Sequence, residues 1–281
     1  MSSKKVNCGK IEISNKNKIC IIAGPCQLET EQHAMDMAGK IQDITKKFGV
    51  GFIYKTSFDK ANRTSLKGKR GAGLDASLPV FDKIKKELNV PILTDIHNIE
   101  QCSIVASHVD VLQIPAFLCR QTDLIEAAAK TNKIIHVKKG QFFNSDTMIK
   151  VVEKLRKFGH KNKIILCERG NMFGYNDLIV DFRNLQWMKT SNNLVSMDIT
   201  HCLQQPSQKI NGIVKSGGLR EFIPLMGKLA LTSGVNALFM EVHNNPEEAK
   251  CDGPTQFYLN NLEDLLVEFE KHYLFHKNEL L

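Results

Sequence analysis

Eight short apolar runs recur along the chain at a nearly constant spacing, and this repeat restricts the fold more than any other feature. The first run begins at residue 19 and the eighth at residue 237, a mean spacing of about 31 residues. The runs are ICIIA (19), GFIY (51), PILT (91), VLQIPA (111), KIIHV (133), KIILC (163), NLVSM (193) and ALFME (237). Each has the length and the β-branched content of a buried parallel strand.

The segments between most of these runs have helical periodicity. In SDTMIKVVEKLRKFG, Ser145 is the predicted helix cap, Met148, Val152 and Leu155 recur at helical spacing, and Gly159 is the predicted stop. A strand and a helix in every unit of this length predict an α/β protein with a (β/α)8 barrel. We find no composition shift or low-complexity linker, so residues 1–281 are predicted to form a single barrel domain.

A doubly wound open sheet is the competing architecture. It usually has fewer strands and a GxGxxG fingerprint after the first one, whereas GPCQLET follows the first run here. Before that run, the alternating segment KIEIS is predicted to pair with KICII across an Asn-Lys turn. Such a hairpin would close the bottom of the barrel.

Composition excludes several classes of protein. No apolar run approaches the roughly 20 residues of a membrane span, and the first residues lack the apolar stretch of a signal peptide, so we expect a cytoplasmic protein with no membrane partner. The eight cysteines contain no CxxC pair, which argues against a zinc finger or a thioredoxin-type redox pair, and in a long chain without a secretion signal we expect reduced thiols. A net charge of +8 raises the possibility of nucleic acid, but no aromatic residues are interleaved with the cations, and no nucleic-acid partner is expected.

Cations cluster where the predicted strands end. Lys55, Lys60 and Arg63 follow the second strand, Lys138 ends the fifth, and Arg169 follows the sixth. Active sites of such barrels lie at the carboxyl ends of the strands, so these side chains are predicted to line one pocket for multiply anionic, phosphorylated substrates. Taken singly, each is more typical of an ordinary surface charge, since Lys and Arg are seldom buried.

A second group of residues suggests a metal. Strands one, seven and eight become neighbours when the barrel closes, which brings together Cys26, His201 and Glu241, with Asp252 in the following loop. A thiolate, an imidazole and two carboxylates are ligands for Zn²⁺, Fe²⁺ or Mn²⁺. The alternative is that His201 hydrogen-bonds a core carbonyl while Glu241 and Asp252 pair with nearby lysines.

Motifs from nearly the whole chain resemble one family. KTSFDKANRTS, TDIH, QIPAFLCRQTDL, VKKGQF, LCERGNMFGYNDL, DITH and EAKCDGP are similar to those of 3-deoxy-D-manno-octulosonate 8-phosphate synthases. The resemblance implies a (β/α)8 barrel with an N-terminal hairpin, usually a homotetramer. It implies a transferase that condenses phosphoenolpyruvate with D-arabinose 5-phosphate, releases phosphate and supplies the Kdo of lipopolysaccharide, as in Gram-negative bacteria.

The resemblance also implies roles for individual residues. Phosphoenolpyruvate would be held by Lys60, Lys138 and Arg169. The pentose phosphate would be bound by Lys55, Ser57, Asn62, Arg63, Thr64, Asp95 and Gln113, with Phe117 completing the pocket near a subunit interface. The predicted catalytic residues are Lys138, His201, Asp252 and Asn62. Thr64 and Glu168 replace the commoner Ser and Asp and keep the chemical group.

Two features locate the chain within related enzymes. ANRTS favours this synthase over 3-deoxy-D-arabino-heptulosonate 7-phosphate synthase, where a KPRTS-like segment is expected. Cys26 implies the metal-dependent branch, because the metal-independent branch has Asn there, whereas CDGP at 251–254 resembles the independent branch. The resulting expectation is one divalent metal, Zn, Fe or Mn, bound by Cys26, His201, Glu241 and Asp252, and no organic cofactor.

Overall fold

The computed structural model describes residues 4–63, 68–174, 177–210 and 213–279, without the side chains of residues 207–215 and 274–279. The strands are β1 (Lys5–Cys8), β2 (Ile11–Ser14), β3 (Cys20–Gly24), β4 (Gly51–Lys55), β5 (Ile92–Asp95), β6 (Val111–Ile114), β7 (Ile134–Lys138), β8 (Ile164–Glu168), β9 (Asn171–Met172), β10 (Leu178–Ile179), β11 (Leu194–Asp198), β12 (Gln204–Ile210), β13 (Ile213–Gly218), β14 (Ala237–His243) and β15 (Phe257–Tyr258).

The α-helices alternate with the longer strands. They are α1 (Glu31–Lys47), α2 (Leu74–Leu88), α3 (Ile99–His108), α4 (Thr122–Lys130), α5 (Ser145–Lys157), α6 (Arg183–Thr190), α7 (Ile223–Thr232) and α8 (Leu262–Glu279). Helix α5 lies where the sequence pattern predicts it, but its N-cap is one residue earlier than predicted. Its cap is Asn144 and not Ser145, because the Asn144 side chain accepts the amide of Thr147. The helix ends before Gly159, whose φ of 88° favours glycine.

Eight parallel strands close into a barrel. Strands β3 to β8 pair in chain order, β8 pairs with β11, and β14 pairs with both β11 and β3. Strand β14 closes the barrel: its Ala237 is paired with Ser196 of β11 on one side and with Cys20 of β3 on the other. Each of the eight predicted apolar runs is one barrel strand, so the predicted (β/α)8 fold is confirmed.

An N-terminal hairpin fills one end of the barrel. Val6, Cys8 and Ile13 of β1 and β2 are buried together with the inward-facing residues of the barrel strands. The amino ends of the strands surround this hairpin, since Gly9 lies against Pro91 just before β5. The hairpin therefore covers the bottom and leaves the carboxyl ends of the strands free for a site.

The predicted pairing within this hairpin is wrong. KIEIS pairs with the preceding strand β1, with Cys8 opposite Ile11, and KICII belongs instead to barrel strand β3. The turn is made at Gly9, whose φ of 58° lies in the left-handed region that glycine adopts without strain. A tight turn at this glycine leaves the later Asn-Lys segment to connect the hairpin to the barrel.

A second apolar shell lies between the strands and the helices. Side chains alternate along each strand, so that Ile21 and Ala23 face this outer shell while Cys20 and Ile22 face the barrel interior. All eight cysteines are buried and free, which agrees with the predicted reduced thiols. Among the described residues, none of the helices combines the length and the apolar character needed to cross a membrane.

Candidate active site

A cavity of about 420 Å³ opens at the carboxyl ends of the barrel strands. The predicted residues that line it are Lys55, Lys60, Asn62, Arg63, Asp95, Gln113, Phe117, Lys138, Arg169, His201 and Asp252. Ser57 is fully buried and does not line it, and Thr64 lies outside the described residues. The structure therefore gathers in one mouth most of the side chains that the sequence placed at separate strand ends.

Two lysines at the bottom of the mouth are buried against carboxylates. Lys55 Nζ lies 2.5 Å from Glu241 Oε1 and 3.0 Å from the carbonyl oxygen of Cys26. Lys138 Nζ donates to Asp198 Oδ2, and both of these side chains are almost inaccessible to solvent. A buried ammonium needs such partners because desolvation of an unpaired charge is costly. Asp198 belongs to the DITH motif but is not among the site residues predicted from the sequence.

Three further cations complete the positive lining. Burial disfavours the charged form of Lys60, but Cys26 and Glu241 outweigh it and raise the pKa of Lys60 well above its usual value. Arg63 Nη1 lies 3.9 Å from Asp252 Oδ1. Arg169 is buried in the wall, and its Nη1 has no hydrogen-bond partner among the described residues. This guanidinium edge is free to bind an anionic ligand.

Polar atoms on the side of β5 and β6 also lack partners. Asp95 Oδ1, Gln113 Oε1 and Ser57 Oγ are buried without a hydrogen bond to any described residue. Burial opposes ionisation of Asp95, but His97, whose Nε2 lies 3.1 Å from Asp95 Oδ2, and the charges of Lys60 and Lys55 hold the pKa of Asp95 well below its usual value. Buried polar atoms without partners are uncommon in folded proteins, and hydroxyl groups of a ligand in the cavity would satisfy those of Asp95 and Gln113, which line it.

The four predicted metal ligands form two groups that share Asp252, and of the four only His201 and Asp252 line the cavity. His201, Glu241 and Asp252 have donor atoms within 4.8 Å of one another, and so do Cys26, Cys251 and Asp252. Asp252 belongs to both groups, since its Oδ2 lies 3.6 Å from the Cys26 sulfur. Cys251, whose sulfur is 2.8 Å from that of Cys26, was missed as a possible ligand although CDGP contains it.

The donor chemistry of these residues fits a divalent metal. His201 Nδ1 lies 2.7 Å from Asp198 Oδ2, so the protonated Nδ1 donates to the carboxylate, and Nε2, which then carries the lone pair, lies 3.4 Å from Glu241 Oε1. Glu241 Oε1 is held by Lys55, but Oε2 is buried without a partner among the described residues. His201, Glu241 and Asp252 thus offer one group of donors suited to a divalent metal, and the Cys26 thiol is joined to this group through Asp252.

A third cluster of ligand-type residues lies outside the cavity. Glu29, His33 and His243 also have donor atoms within 4.8 Å of one another. His243 Nδ1 accepts the amide hydrogen of Asn245 at 3.0 Å, which places the proton of a neutral ring on Nε2. Nε2 lies 3.4 Å from Glu29 Oε1 without a hydrogen bond to any described residue, and a neutral ring that is protonated at Nε2 and accepts at Nδ1 has no lone pair left for a metal.

The fold and its mouth define a (β/α)8-barrel enzyme with a cationic pocket at the carboxyl ends of the strands. The chain belongs to the DAHP synthetase I family, which it matches over residues 2–273. This match spans the hairpin, all eight barrel strands and most of α8.

Individual relatives cover nearly the same length. A protein from Pisum sativum named 2-dehydro-3-deoxyphosphooctonate aldolase is 53% identical over 250 residues, 88% of this chain and 86% of the relative. Proteins of the same name from Bartonella henselae and Rickettsia typhi are each 48% identical, covering 94% and 96% of this chain and 95% and 97% of their own lengths. The resemblance deduced from the motifs is confirmed.

Proposed function

We propose that this chain is a 3-deoxy-8-phosphooctulonate synthase. It condenses phosphoenolpyruvate with D-arabinose 5-phosphate and water, and it releases 3-deoxy-D-manno-octulosonate 8-phosphate and inorganic phosphate. The observation that carries the proposal is the single mouth in which buried cations and unpartnered polar atoms face each other across one cavity. The names of relatives about half identical to this chain support the same reaction.

Phosphoenolpyruvate carries a phosphate and a carboxylate, and its proposed ligands are Lys60, Lys138 and Arg169. Support comes from the unpartnered Nη1 of Arg169 and from the cavity position of both lysines. Lys138 is proposed to lie near the carboxylate and the enol oxygen. Its ammonium is already oriented by Asp198, so little rearrangement is needed when the anion arrives.

D-Arabinose 5-phosphate is proposed to occupy the side formed by β4, β5 and β6. Its hydroxyl groups would bind Asp95 and Gln113, whose free oxygens accept hydrogen bonds. Asn62 and Arg63 line the same cavity and would bind the sugar and its phosphate. Lys55, Ser57, Thr64 and Phe117 remain proposed members of this subsite.

The carbon–carbon bond forms when C3 of phosphoenolpyruvate attacks the aldehyde carbon of the sugar. Water adds at C2, and the bond between C2 and the phosphate oxygen then breaks. The cations reduce the repulsion between two phosphates and a carboxylate held in one water-poor cavity. His201 and Asp252 are the proposed groups that move protons beside the aldehyde and the attacking water, since both line the cavity.

One divalent metal, Zn, Fe or Mn, is proposed to be bound by Cys26, His201, Glu241 and Asp252. When bound, it would supply a Lewis acid beside the aldehyde or the water. Support comes from His201 Nε2, which lies 3.4 Å from Glu241 Oε1, and from Glu241 Oε2, which has no partner among the described residues. Cys251 is a further candidate ligand because its sulfur is adjacent to that of Cys26.

The related heptulosonate synthase, which uses erythrose 4-phosphate, is the second candidate, because the matching family carries its name. Asn62 lies on the cavity wall where that enzyme is expected to have Pro. The deciding experiment measures phosphate release from phosphoenolpyruvate with each aldose phosphate, with and without EDTA, followed by metal analysis. A rate with arabinose 5-phosphate that exceeds the rate with erythrose 4-phosphate supports the proposal, and the reverse order refutes it.

We also propose that the chain is a homotetramer in the cytoplasm. Phe117 lines the cavity and yet is 54% exposed, and Phe142 and Phe173 are also exposed. Aromatic surface of this kind beside a site favours contact with a second subunit. Light scattering coupled to gel filtration tests the tetramer.

A further inference from the structure

Phe239 lies at the centre of the barrel, directly below the two buried lysines. It is the third residue of β14, is fully buried, and belongs to the apolar cluster inside the barrel. Lys138 Nζ lies 3.6 Å from the centroid of its ring, and Lys55 Nζ lies 5.5 Å from it. The aromatic ring thus separates the apolar interior from the charged mouth.

Neighbouring strands place each ammonium between a carboxylate and this ring. Asp198 and Phe239 are paired in register across β11 and β14, and Lys138 contacts both. Lys55 is bound by Glu241, two residues after Phe239 on β14. The face of an aromatic ring attracts a cation through its quadrupole, and this attraction is strongest where water is excluded.

The residues in register with Phe239 on β3 and β4 show that an aliphatic side chain can fill this level of the barrel interior. The residue paired with Phe239 on β3 is Ile22, and the residue paired with Ile22 on β4 is Ile53. Both are buried aliphatic side chains in the same interior cluster. An aliphatic residue at position 239 would also supply apolar volume, but it would give the ammonium groups no quadrupole.

We propose that Phe239 is a positioning residue that holds the ammonium groups of Lys138 and Lys55 at a fixed depth in the mouth. A lysine side chain has a flexible four-carbon stem, so a carboxylate restrains its tip only partly, and Lys138, which lies nearer the ring than Lys55 and lacks the carbonyl partner that Lys55 has in Cys26, depends on the ring more. The ring supplies the restraint from below. This inference rests on the proposed function, in which Lys138 binds phosphoenolpyruvate.

The test replaces Phe239 site-specifically with mono-, di- and trifluorinated phenylalanine, which weaken the quadrupole stepwise with little change of shape. Calorimetry measures the Kd for phosphoenolpyruvate, phosphate release measures kcat and KM, and thermal unfolding measures Tm. We expect the Kd to rise stepwise, by about tenfold over the series, while Tm stays nearly constant. The same series at Phe81, an equally buried residue of α2, is expected to change none of these quantities.

The outcomes separate this inference from the proposed function. A flat Kd across the series at Phe239, or a fall in Tm that accounts for the whole change, overturns the positioning role. Stepwise weakening of phosphoenolpyruvate binding without any turnover on either aldose phosphate supports the role of Phe239 and refutes the proposed reaction. Phe239→Leu, which keeps apolar volume, is expected to match or exceed the loss given by the trifluorinated ring.

Discussion

His201 Nδ1 lies 2.7 Å from Asp198 Oδ2, and this carboxylate oxygen also accepts a hydrogen bond from Lys138. The other oxygen, Oδ1, accepts from the Thr200 hydroxyl and from the amides of Thr200 and His201. Burial opposes ionisation of Asp198, but His201 and Lys138 hold its pKa well below the usual value. One buried carboxylate therefore orients both an imidazole and an ammonium in the mouth.

Asp198→Asn is expected to impair both folding and activity. The substitution leaves Lys138 buried without its charged partner, and loss of one partner of a buried pair costs about 3–5 kcal/mol of stability. It also removes the acceptor that keeps the proton on His201 Nδ1. Urea unfolding and steady-state kinetics measure the two effects. Asp181→Asn, which breaks an exposed pair with Arg183, is the control and should leave both nearly unchanged. Equal stability and equal kinetics of the two variants would contradict the role of Asp198 in orienting Lys138 and His201.

Chelation is expected to abolish turnover of the wild-type protein, and added Zn²⁺, Mn²⁺ or Fe²⁺ is expected to restore it. Cys26→Ala should lose both bound metal and chelator-sensitive activity, because the thiol is the only sulfur ligand in the predicted set. Cys26→Asn is expected to keep some activity that EDTA does not affect. Metal analysis and phosphate release measure these outcomes. Cys102→Ala, in a buried cysteine of α3, is the matched control. A wild-type rate unaffected by EDTA would exclude the metal from the mechanism.

Arg169→Met is expected to lower kcat/KM for phosphoenolpyruvate by about 10- to 100-fold, the usual cost of losing a hydrogen bond to a charged group. Arg169 lines the cavity and its buried Nη1 has no partner among the described residues, so loss of this nitrogen breaks no hydrogen bond within the described part of the chain. The effect should fall on KM for phosphoenolpyruvate more than on KM for the sugar. Lys130→Met, at an exposed residue of α4, controls for loss of surface charge. An effect confined to the sugar would place Arg169 in the other subsite.

The sequence was sufficient to predict the barrel because each strand is a short buried run, and a buried parallel strand requires continuous apolar residues. The placement of Lys55, Lys138 and Arg169 followed from the same pattern, since the carboxyl ends of all barrel strands meet at one face. The hairpin register was not predictable from alternation alone, because KIEIS can pair equally well with either neighbour. The left-handed turn at Gly9 decides the pairing.

The residues that contact the cations and the candidate metal ligands could not be predicted from the sequence either. Asp198 ends its strand like other site residues, but only the closed barrel shows that it lies between Lys138 and His201. Cys251 was visible beside Asp252 in CDGP, and its contact with Cys26 depends on how the last loop returns across the mouth. In the sequence, Phe239 is indistinguishable from an ordinary core residue, and only the structure shows that Lys138 lies over its ring.

Protonation of His136 is expected to make stability depend on pH. His136 is fully buried on β7, its Nε2 lies 3.0 Å from Ser196 Oγ, and its ring is stacked on Phe239. Burial, together with the charge of Lys138, lowers the pKa of His136 from the usual value of 6.5 to about 3. Between these two values the unfolded chain binds a proton that the native protein does not bind. The free energy of unfolding attributable to this residue is therefore complete above pH 6.5 and declines as the pH falls toward 3.

The expected slope approaches about 1.4 kcal/mol per pH unit, the value for one proton. Urea unfolding at fixed protein concentration, at a series of pH values below 7, measures it for the wild type and for His136→Gln. The variant keeps a hydrogen-bonding side chain but no titrating ring, so its stability should fall less steeply with decreasing pH. Ile135→Val, in the adjacent residue facing the outer shell, should cost about 0.5–1.5 kcal/mol equally at every pH. If the free energies of unfolding of the wild type and of His136→Gln change in parallel with pH, His136 is not a buried neutral imidazole with a lowered pKa.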